Sequence, residues 1–239
     1  MQRIAVFQHT EVGAPGTIVP ILEALGCEVQ VVRIVDGDAV PADASALGGL
    51  VFMGGYMSAH DALPWIPQEL ALIRDADARG IPVAGHCLGS QLVALALGGA
   101  VHPHARPEIG WCEIDASADE TARDWWGDAA GRTLQTFQWH GDTFEPPAGA
   151  ARIAGGAHCG NQAFVVNGRH LLVQSHLEMT PALVALSVER NGAQLQRQNA
   201  LGNPATSAYD DVLDDLPERT ARMQALLERL YARWVRGCA

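Results

Sequence analysis

The sequence predicts a doubly wound α/β fold, with a mostly parallel sheet and an antiparallel extension. Short continuous apolar runs, rich in β-branched residues, recur at residues 4–7, 29–35, 50–53 and 82–85. The segments between them carry helical spacing, as in residues 18–25 and 66–78. Strands apolar on both faces need helices on both sides, the arrangement of parallel sheets. In the second half, runs at 109–114, 134–139, 163–166 and 170–175 are separated by short polar turns and read as the antiparallel extension.

Residues 191–211 are rich in amides, aspartate, glycine and proline and read as an irregular excursion, either a lid or a surface loop. Asp215 with Glu218 three residues on predicts a capping box, and Met223, Leu226, Leu227, Leu230 and Trp234 then mark one face of an amphipathic terminal helix that packs on the parent domain. The expected organisation is one domain over 1–239, with 181–239 an irregular segment plus this helix.

A net charge of −11 offers no footprint for nucleic acid or an anionic membrane, and favours a small polar substrate. All sixteen basic residues are arginine, which excludes a Schiff-base lysine, a pyridoxal phosphate anchor and a phosphate-loop lysine. Residues 4–7 are too short an apolar stretch for a secretory signal, and the longest apolar run, 92–101, is too short to span a membrane, so a soluble cytoplasmic protein is expected. Five irregularly spaced cysteines without a C-x-x-C pair argue against a disulfide framework or a zinc ribbon.

Gly85-His86-Cys87-Leu88-Gly89-Ser90-Gln91 lies between a predicted strand and the apolar helix 92–97. In this strand–turn–helix setting a nucleophile sits on a strained elbow, and glycines let neighbouring chain approach. A helix N-terminus favours thiolate over thiol, and the Leu88 N–H is placed to bind an oxyanion. An arbitrary cysteine is ordinarily a buried structural one. Cys159 fits that description, because turn and strand follow it rather than a helix. His176 ends an apolar strand and Glu178 follows two positions later, so the carboxylate can stand behind the imidazole as its orienting partner. Gly54-Gly55 ends another strand at the same predicted edge, where one of the two N–H groups can complete an oxyanion hole. His102-Pro103-His104 has two imidazoles one residue apart but no third ligand nearby in sequence, so no metal and no cofactor is expected.

The nucleophile segment resembles the G-x-C-x-G-x-Q motif of class I glutamine amidotransferases, and Gly54-Gly55-Tyr56-Met57-Ser58 resembles their oxyanion strand. Glu108-Ile109-Gly110-Trp111, Trp139-His140-Gly141-Asp142-Thr143-Phe144, Asn161-Gln162-Ala163-Phe164 and Gln174-Ser175-His176-Leu177-Glu178 follow in order, similar to the free-standing branch related to the glutaminase domain of GMP synthase. The likeness runs to about Thr180. It implies a flavodoxin-like sheet and a thioester mechanism, with Cys87 as nucleophile, His176 and Glu178 completing the triad, and Gly55 and Leu88 N–H groups at the oxyanion. It further implies that Gly54, Gln91 and the backbone around Trp139 and His140 help to bind glutamine.

Three departures stand out. Ser175 and Leu177 replace a common aromatic and proline around the catalytic histidine, a change expected to loosen that turn, and Tyr56 stands where proline often follows the glycine pair. Residues 179–239 are too few for an ATP-pyrophosphatase or other synthetase domain, so a glutaminase would feed a separate ammonia-accepting synthetase. The alternatives are a self-sufficient hydrolase of another γ-glutamyl compound and a degenerate fold kept for binding or regulation.

Overall fold

Side chains of a strand alternate between its two faces, so an unbroken apolar run feeds two cores at once. In the computed structural model, which describes residues 2–238, β1 (Arg3–Gln8) sends Ile4 and Val6 into one core and Ala5 and Phe7 into the other. The same division holds in β3 (Gly49–Phe52), β4 (Val83–His86) and β9 (His170–Val173): Val51, Ala84, Leu171 and Val173 face the first core, and Leu50, Phe52, Val83 and Leu172 the second. Helices α1 (Ile18–Ala24), α4 (Glu120–Trp126), α5 (Pro181–Ala200) and α6 (Leu216–Trp234) supply the first core, while α2 (Trp65–Ala78) and α3 (Leu88–Ala96) supply the second.

The remaining strands are β2 (Glu28–Arg33), β5 (Ala100–Ala116), β6 (Thr133–Glu145), β7 (Ala151–Gly156) and β8 (Ala163–Val166). Among the described residues nine strands form one sheet in the order β2-β1-β3-β4-β9-β8-β7-β5-β6. It is parallel from β2 to β9 and antiparallel from β9 to β6, as the two kinds of apolar run predict. The chain leaves β1 for β2 on one side and then crosses to β3 on the other, so the carboxyl ends of β1 and β3 face a crevice. No described helix is long and apolar enough to cross a membrane.

The tail corrects two expectations. Residues 181–200, 191–200 included, are not irregular but form α5, which starts on a Thr180 side-chain cap with Pro181 next. It stops at Gly202 (φ +65), whose N–H meets Asn199 O while that of Asn203 reaches back to Gln198 O. These are strong start and stop signals, masked in the sequence by the polar outer face of the helix. The irregular stretch begins only after it and is tied down rather than free: Ile109 N–H bonds Ala205 O, and Ser207 N–H bonds Ile109 O. The expected capping box is also absent. Asp215 is left-handed (φ 52, ψ 28) and makes no side-chain cap, because that backbone turns its carboxylate away from the helix N–H groups, and Glu218 pairs instead with Arg222. The apolar face of α6 behaves as predicted, with Met223, Leu227, Leu230 and Trp234 buried in the first core. β7 and α4 were not legible as separate elements in the sequence; they fill the stretches between the antiparallel strands.

Glycine is required where α3 meets the sheet. A Cβ on Gly89 would lie 1.9 Å from Phe52 O at the end of β3, and one on Gly85 would lie 2.5 Å from the Gly89 carbonyl carbon. Gly89→Ala is therefore expected to lift α3 off the sheet and cost about 1–3 kcal/mol or more, read from the denaturant midpoint. Gly98→Ala meets no atoms within 4 Å and serves as the comparison, its cost limited to backbone strain at φ +94.

Candidate active site

Cys87 stands between the last residue of β4 and the first of α3, with φ 51 and ψ −113. A non-glycine residue at such angles costs on the order of 1–3 kcal/mol and persists only where its surroundings enforce it. Here the Cys87 N–H donates to Val173 O at 2.9 Å, and Ser90 Oγ sits 2.7 Å from both Gly85 O and Val173 O while accepting the Val173 N–H at 2.7 Å. The turn is thus bolted to β9, and the thiol is held at the carboxyl edge of the sheet beside the unpaired N–H groups of the first turn of α3.

His176 follows β9 at the same edge. Its Nδ1 donates to Glu178 Oε1 at 2.7 Å, which leaves Nε2 as the ring nitrogen on the side of Cys87. Gly54 makes room for this meeting: a Cβ there would lie 2.5 Å from His176 Cε1 and 3.5 Å from Cys87 Cβ. Burial works to lower the affinity of His176 for its proton, but the charges of Glu178 and Cys87 and bonds to both outweigh it and hold the imidazole well above its ordinary range. Burial likewise works to raise Glu178, yet the neighbouring His176 and then His86 hold its carboxyl well below the usual range.

The turn that carries Ser175 and Leu177 is anchored by neighbouring backbone. Both residues are fully buried, His176 N–H donates to Phe137 O at 2.8 Å, and Thr17 N–H donates to Glu178 O at 3.0 Å. Gly16 brings the β1–α1 loop so close that a Cβ would stand 2.0 Å from Glu178 O.

The opposite wall comes from the long β5–β6 hairpin. Its register slips between Pro103, opposite Asp142, and Glu108, opposite His140. Glu108 Oε2 then takes His140 Nε2 at 2.9 Å and the Gln162 amide at 2.7 Å, while His140 Nδ1 donates to Asp142 O at 2.9 Å. Gln91 donates to the same Asp142 carbonyl at 3.2 Å, and Cys87 Sγ lies 3.9 Å from Trp139 O. A cleft of about 470 Å³ opens here, lined by Tyr56, Met57, Cys87, Gln91, Trp139 and Gln194 among others. Tyr56 is 59% exposed at its mouth.

Every residue singled out in the motifs, namely Cys87, His176, Glu178, Gly54, Gly55, Leu88, Gln91, Trp139 and His140, belongs to this one edge or to the walls of the cleft. His140 differs from the others in that its ring faces Glu108 and is spent on holding the strand, so only its backbone and Gly141 border the open space. Cys159 is buried against Thr143, and burial pushes its thiol up. His102 bonds Pro103 O and Glu145, and His104 bonds Arg106 O; among the described residues no group of three or more His, Cys, Asp or Glu could hold a metal.

Sequence reasoning missed several participants. His9 donates to Met53 O at 3.0 Å and meets both Glu69 oxygens at 3.0 and 3.1 Å, bracing the chain just before Gly54-Gly55. Gln194 accepts the Trp139 indole N–H at 2.8 Å, from the part of α5 that read as a loop. Ser58 donates to Asp142 Oδ2 at 2.9 Å, closing one end of the cleft, and His86 stands behind Glu178. Ser58, His86 and Asp142 lie inside the motifs, which was the available signal; the others are brought in by distant elements.

The depressed Glu178 carboxyl makes a stability prediction. A carboxylate held below its unfolded range contributes stability that is present above the unfolded pKa, about 4.3, and lost as pH falls through the folded one. The stability difference between the parent and Glu178→Gln is therefore expected to be largest near neutral pH and to shrink steadily below about pH 4, measured by urea unfolding across the acid range.

Residues 15–193 match the family model of glutamine amidotransferase class-I. Among solved structures, a glutamine amido transferase from Methylobacillus flagellatus superposes with a TM-score of 0.94 at 36% identity, covering 100% of this chain and 96% of that one. Among curated relatives, the glutamine-hydrolysing GMP synthase of Limosilactobacillus reuteri is 28% identical over 170 residues, which is 70% of this chain but only 30% of that protein. One subunit of the glutamine-hydrolysing GMP synthase of Saccharolobus solfataricus is 26% identical over 144 residues, covering 59% of this chain and 73% of that polypeptide.

Proposed function

The chain belongs to the glutamine amidotransferase class-I family, and from that premise we propose that it hydrolyses the γ-amide of glutamine through a thioester on Cys87, releasing glutamate and ammonia. The observation that carries this reading is the alignment of Cys87, His176 and Glu178 on one sheet edge, with the cysteine on a left-handed elbow and the His176 to Glu178 bond at 2.7 Å.

In the proposed cycle the Cys87 thiolate adds to the γ-carbonyl carbon, and the carbonyl oxygen takes the negative charge toward the N–H groups of Gly55 and Leu88. Collapse of the adduct breaks the carbon–nitrogen bond, and the imidazolium of His176 gives its proton to the departing ammonia. The neutral imidazole then takes a proton from water, which attacks the thioester; glutamate leaves, and thiolate and imidazolium are restored. Gln91 and the backbone of Trp139 and His140, which border the cleft beside the thiol, are assigned to the amino-acid end of the substrate, together with Gly54, which packs against His176 and Cys87. Residues 1–239 act in this reading as one amidotransferase unit, with α5 lending Gln194 to the cleft. The likeness to a single subunit of a GMP synthase supports delivery of ammonia to a synthetase on a separate chain.

The cleft itself favours a second reading. At about 470 Å³ it falls in the range that takes ligands larger than one amino acid, so a self-sufficient hydrolase of a γ-glutamyl peptide or amine would use the same three residues. Turnover of glutamine and of a γ-glutamyl substrate panel by the isolated chain separates the two. Activity confined to glutamine and rising with a synthetase supports the first, and partner-independent activity on a larger γ-glutamyl compound supports the second.

Cys87→Ala is expected to abolish turnover, since loss of a covalent nucleophile costs about a millionfold, and a glutamine-like diazo-ketone is expected to label Cys87 and spare Cys27, Cys112, Cys159 and Cys238 in mass spectra. Adducts spread over several cysteines, or turnover retained without Cys87, would sink the assignment. Glu178→Gln keeps size and position but removes the charge behind the imidazolium. A thiol needs less help from its base than an alcohol does, so the expected loss is about tenfold to a thousandfold, mostly in kcat. Parental kcat in that variant would reduce the triad to a cysteine–histidine pair.

A further inference from the structure

The nucleophile motif leaves one position free between Gly85 and Cys87, and His86 fills it. His86 ends β4, and its ring is carried away from the cleft into the layer beneath, fully buried behind Glu178. There Nδ1 lies 3.2 Å from Glu178 Oε2, while Glu178 Oε1 takes His176 Nδ1 at 2.7 Å, so one carboxylate lies between two imidazoles. On the far side of the ring, Nε2 lies 3.0 Å from the Tyr231 hydroxyl of α6, and the two rings stack with centroids 6.0 Å apart.

We propose that His86 is a positioning residue that acts through Glu178: its Nδ1–H faces the second carboxylate oxygen, in a tautomer fixed by the Tyr231 O–H donating to Nε2, and keeps that carboxylate ionised and aimed at His176 through the cycle. The inference rests on the triad proposed above. Glu178 is sealed from solvent, so no bulk water can solvate the oxygen that His176 leaves free. At 3.2 Å the two atoms are close but misaligned for a good hydrogen bond, and each is buried with no other partner, so a small rotation of either group satisfies both. When His176 passes its proton to ammonia, Glu178 loses its cationic partner, and the His86 donor is the remaining group positioned to take up the uncompensated charge. The groups facing His86 are Glu178 and Tyr231, with His176 and Cys87 beyond the carboxylate and Cys238 beyond the phenol. Burial, Glu178 and Cys238 all push the ionisation of Tyr231 well above its ordinary range, which keeps it a donor.

The test compares His86→Leu, which keeps bulk without a donor, with His86→Asn, whose amide N–H falls where Nδ1–H stood. The leucine variant is expected to lose about tenfold to a hundredfold in kcat with KM within about twofold. Its acid limb should move to higher pH, because a carboxylate that has lost a donor to its ionised form is more easily protonated. Asparagine should recover most of both effects, and the rate at which the diazo-ketone labels Cys87 should follow kcat. A folded leucine variant with parental kcat and acid limb overturns the proposal, and so does an asparagine variant as defective as leucine. Should the leucine variant not fold, Tyr231→Phe decides, since it keeps the ring but frees Nε2; an unchanged kcat and acid limb in it also overturn the proposal. Failure of the triad itself would look different, because the parent would then not be labelled at Cys87.

Discussion

The left-handed backbone at Cys87 is the constraint on which the rest of the site depends. A side chain at φ 51 is tolerated because three elements converge on it: β3 presses Phe52 O against Gly89, β9 accepts the Cys87 N–H, and Ser90 ties the turn to both β4 and β9. Loosening any of these would let the cysteine relax toward ordinary helical angles and swing its sulfur away from His176. Gly85 and Gly89 are thus part of the device that stores the strain, and the sheet is the frame that holds it.

Around that elbow, buried polar pairs fix the walls. His9 with Glu69 braces the chain before Gly54-Gly55, Glu108 with His140 and Gln162 braces the strand opposite, and Glu178 braces His176 from behind. Buried ionisable pairs are weak sources of net stability, since desolvation offsets much of their attraction, and their value here is orientation. Each pair joins the edge to a different part of the fold: α2 through Glu69, β5 through Glu108, and α6 through the contact of Tyr231 with His86. The site is therefore sensitive to packing far from the cleft, including that of the terminal helix.

The comparison with known structures bears on that tail. The Methylobacillus flagellatus structure covers the whole of this chain, α5 and α6 included, whereas the family model stops at residue 193. In this molecule both helices are packed into the first core, through Val188 and Leu195 of α5 and Met223, Leu227, Leu230 and Trp234 of α6. α5 borders the cleft through Gln194 and holds the Trp139 indole, and α6 closes the core beneath Glu178.

The sequence by itself determined the strand and helix layers and the chemistry of the edge. Apolar runs of four to six residues can be satisfied only between two helix layers, and G-x-C-x-G between strand and helix admits few backbone conformations, so both were legible locally. The i, i+2 pairing of His176 with Glu178 was readable for the same reason. α5 was missed because its outward face is amide-rich, and the cap of α6 because a capping pattern says nothing of the left-handed turn that Asp215 adopts. Only the tertiary structure decided which distant groups stand behind the motif residues. Tyr231 reaches His86 across 145 positions, and Glu69 reaches His9 across 60. Such partners are chosen by where helices settle on the sheet, and helical periodicity fixes which face of a helix is apolar without fixing which polar group at its border meets a buried imidazole.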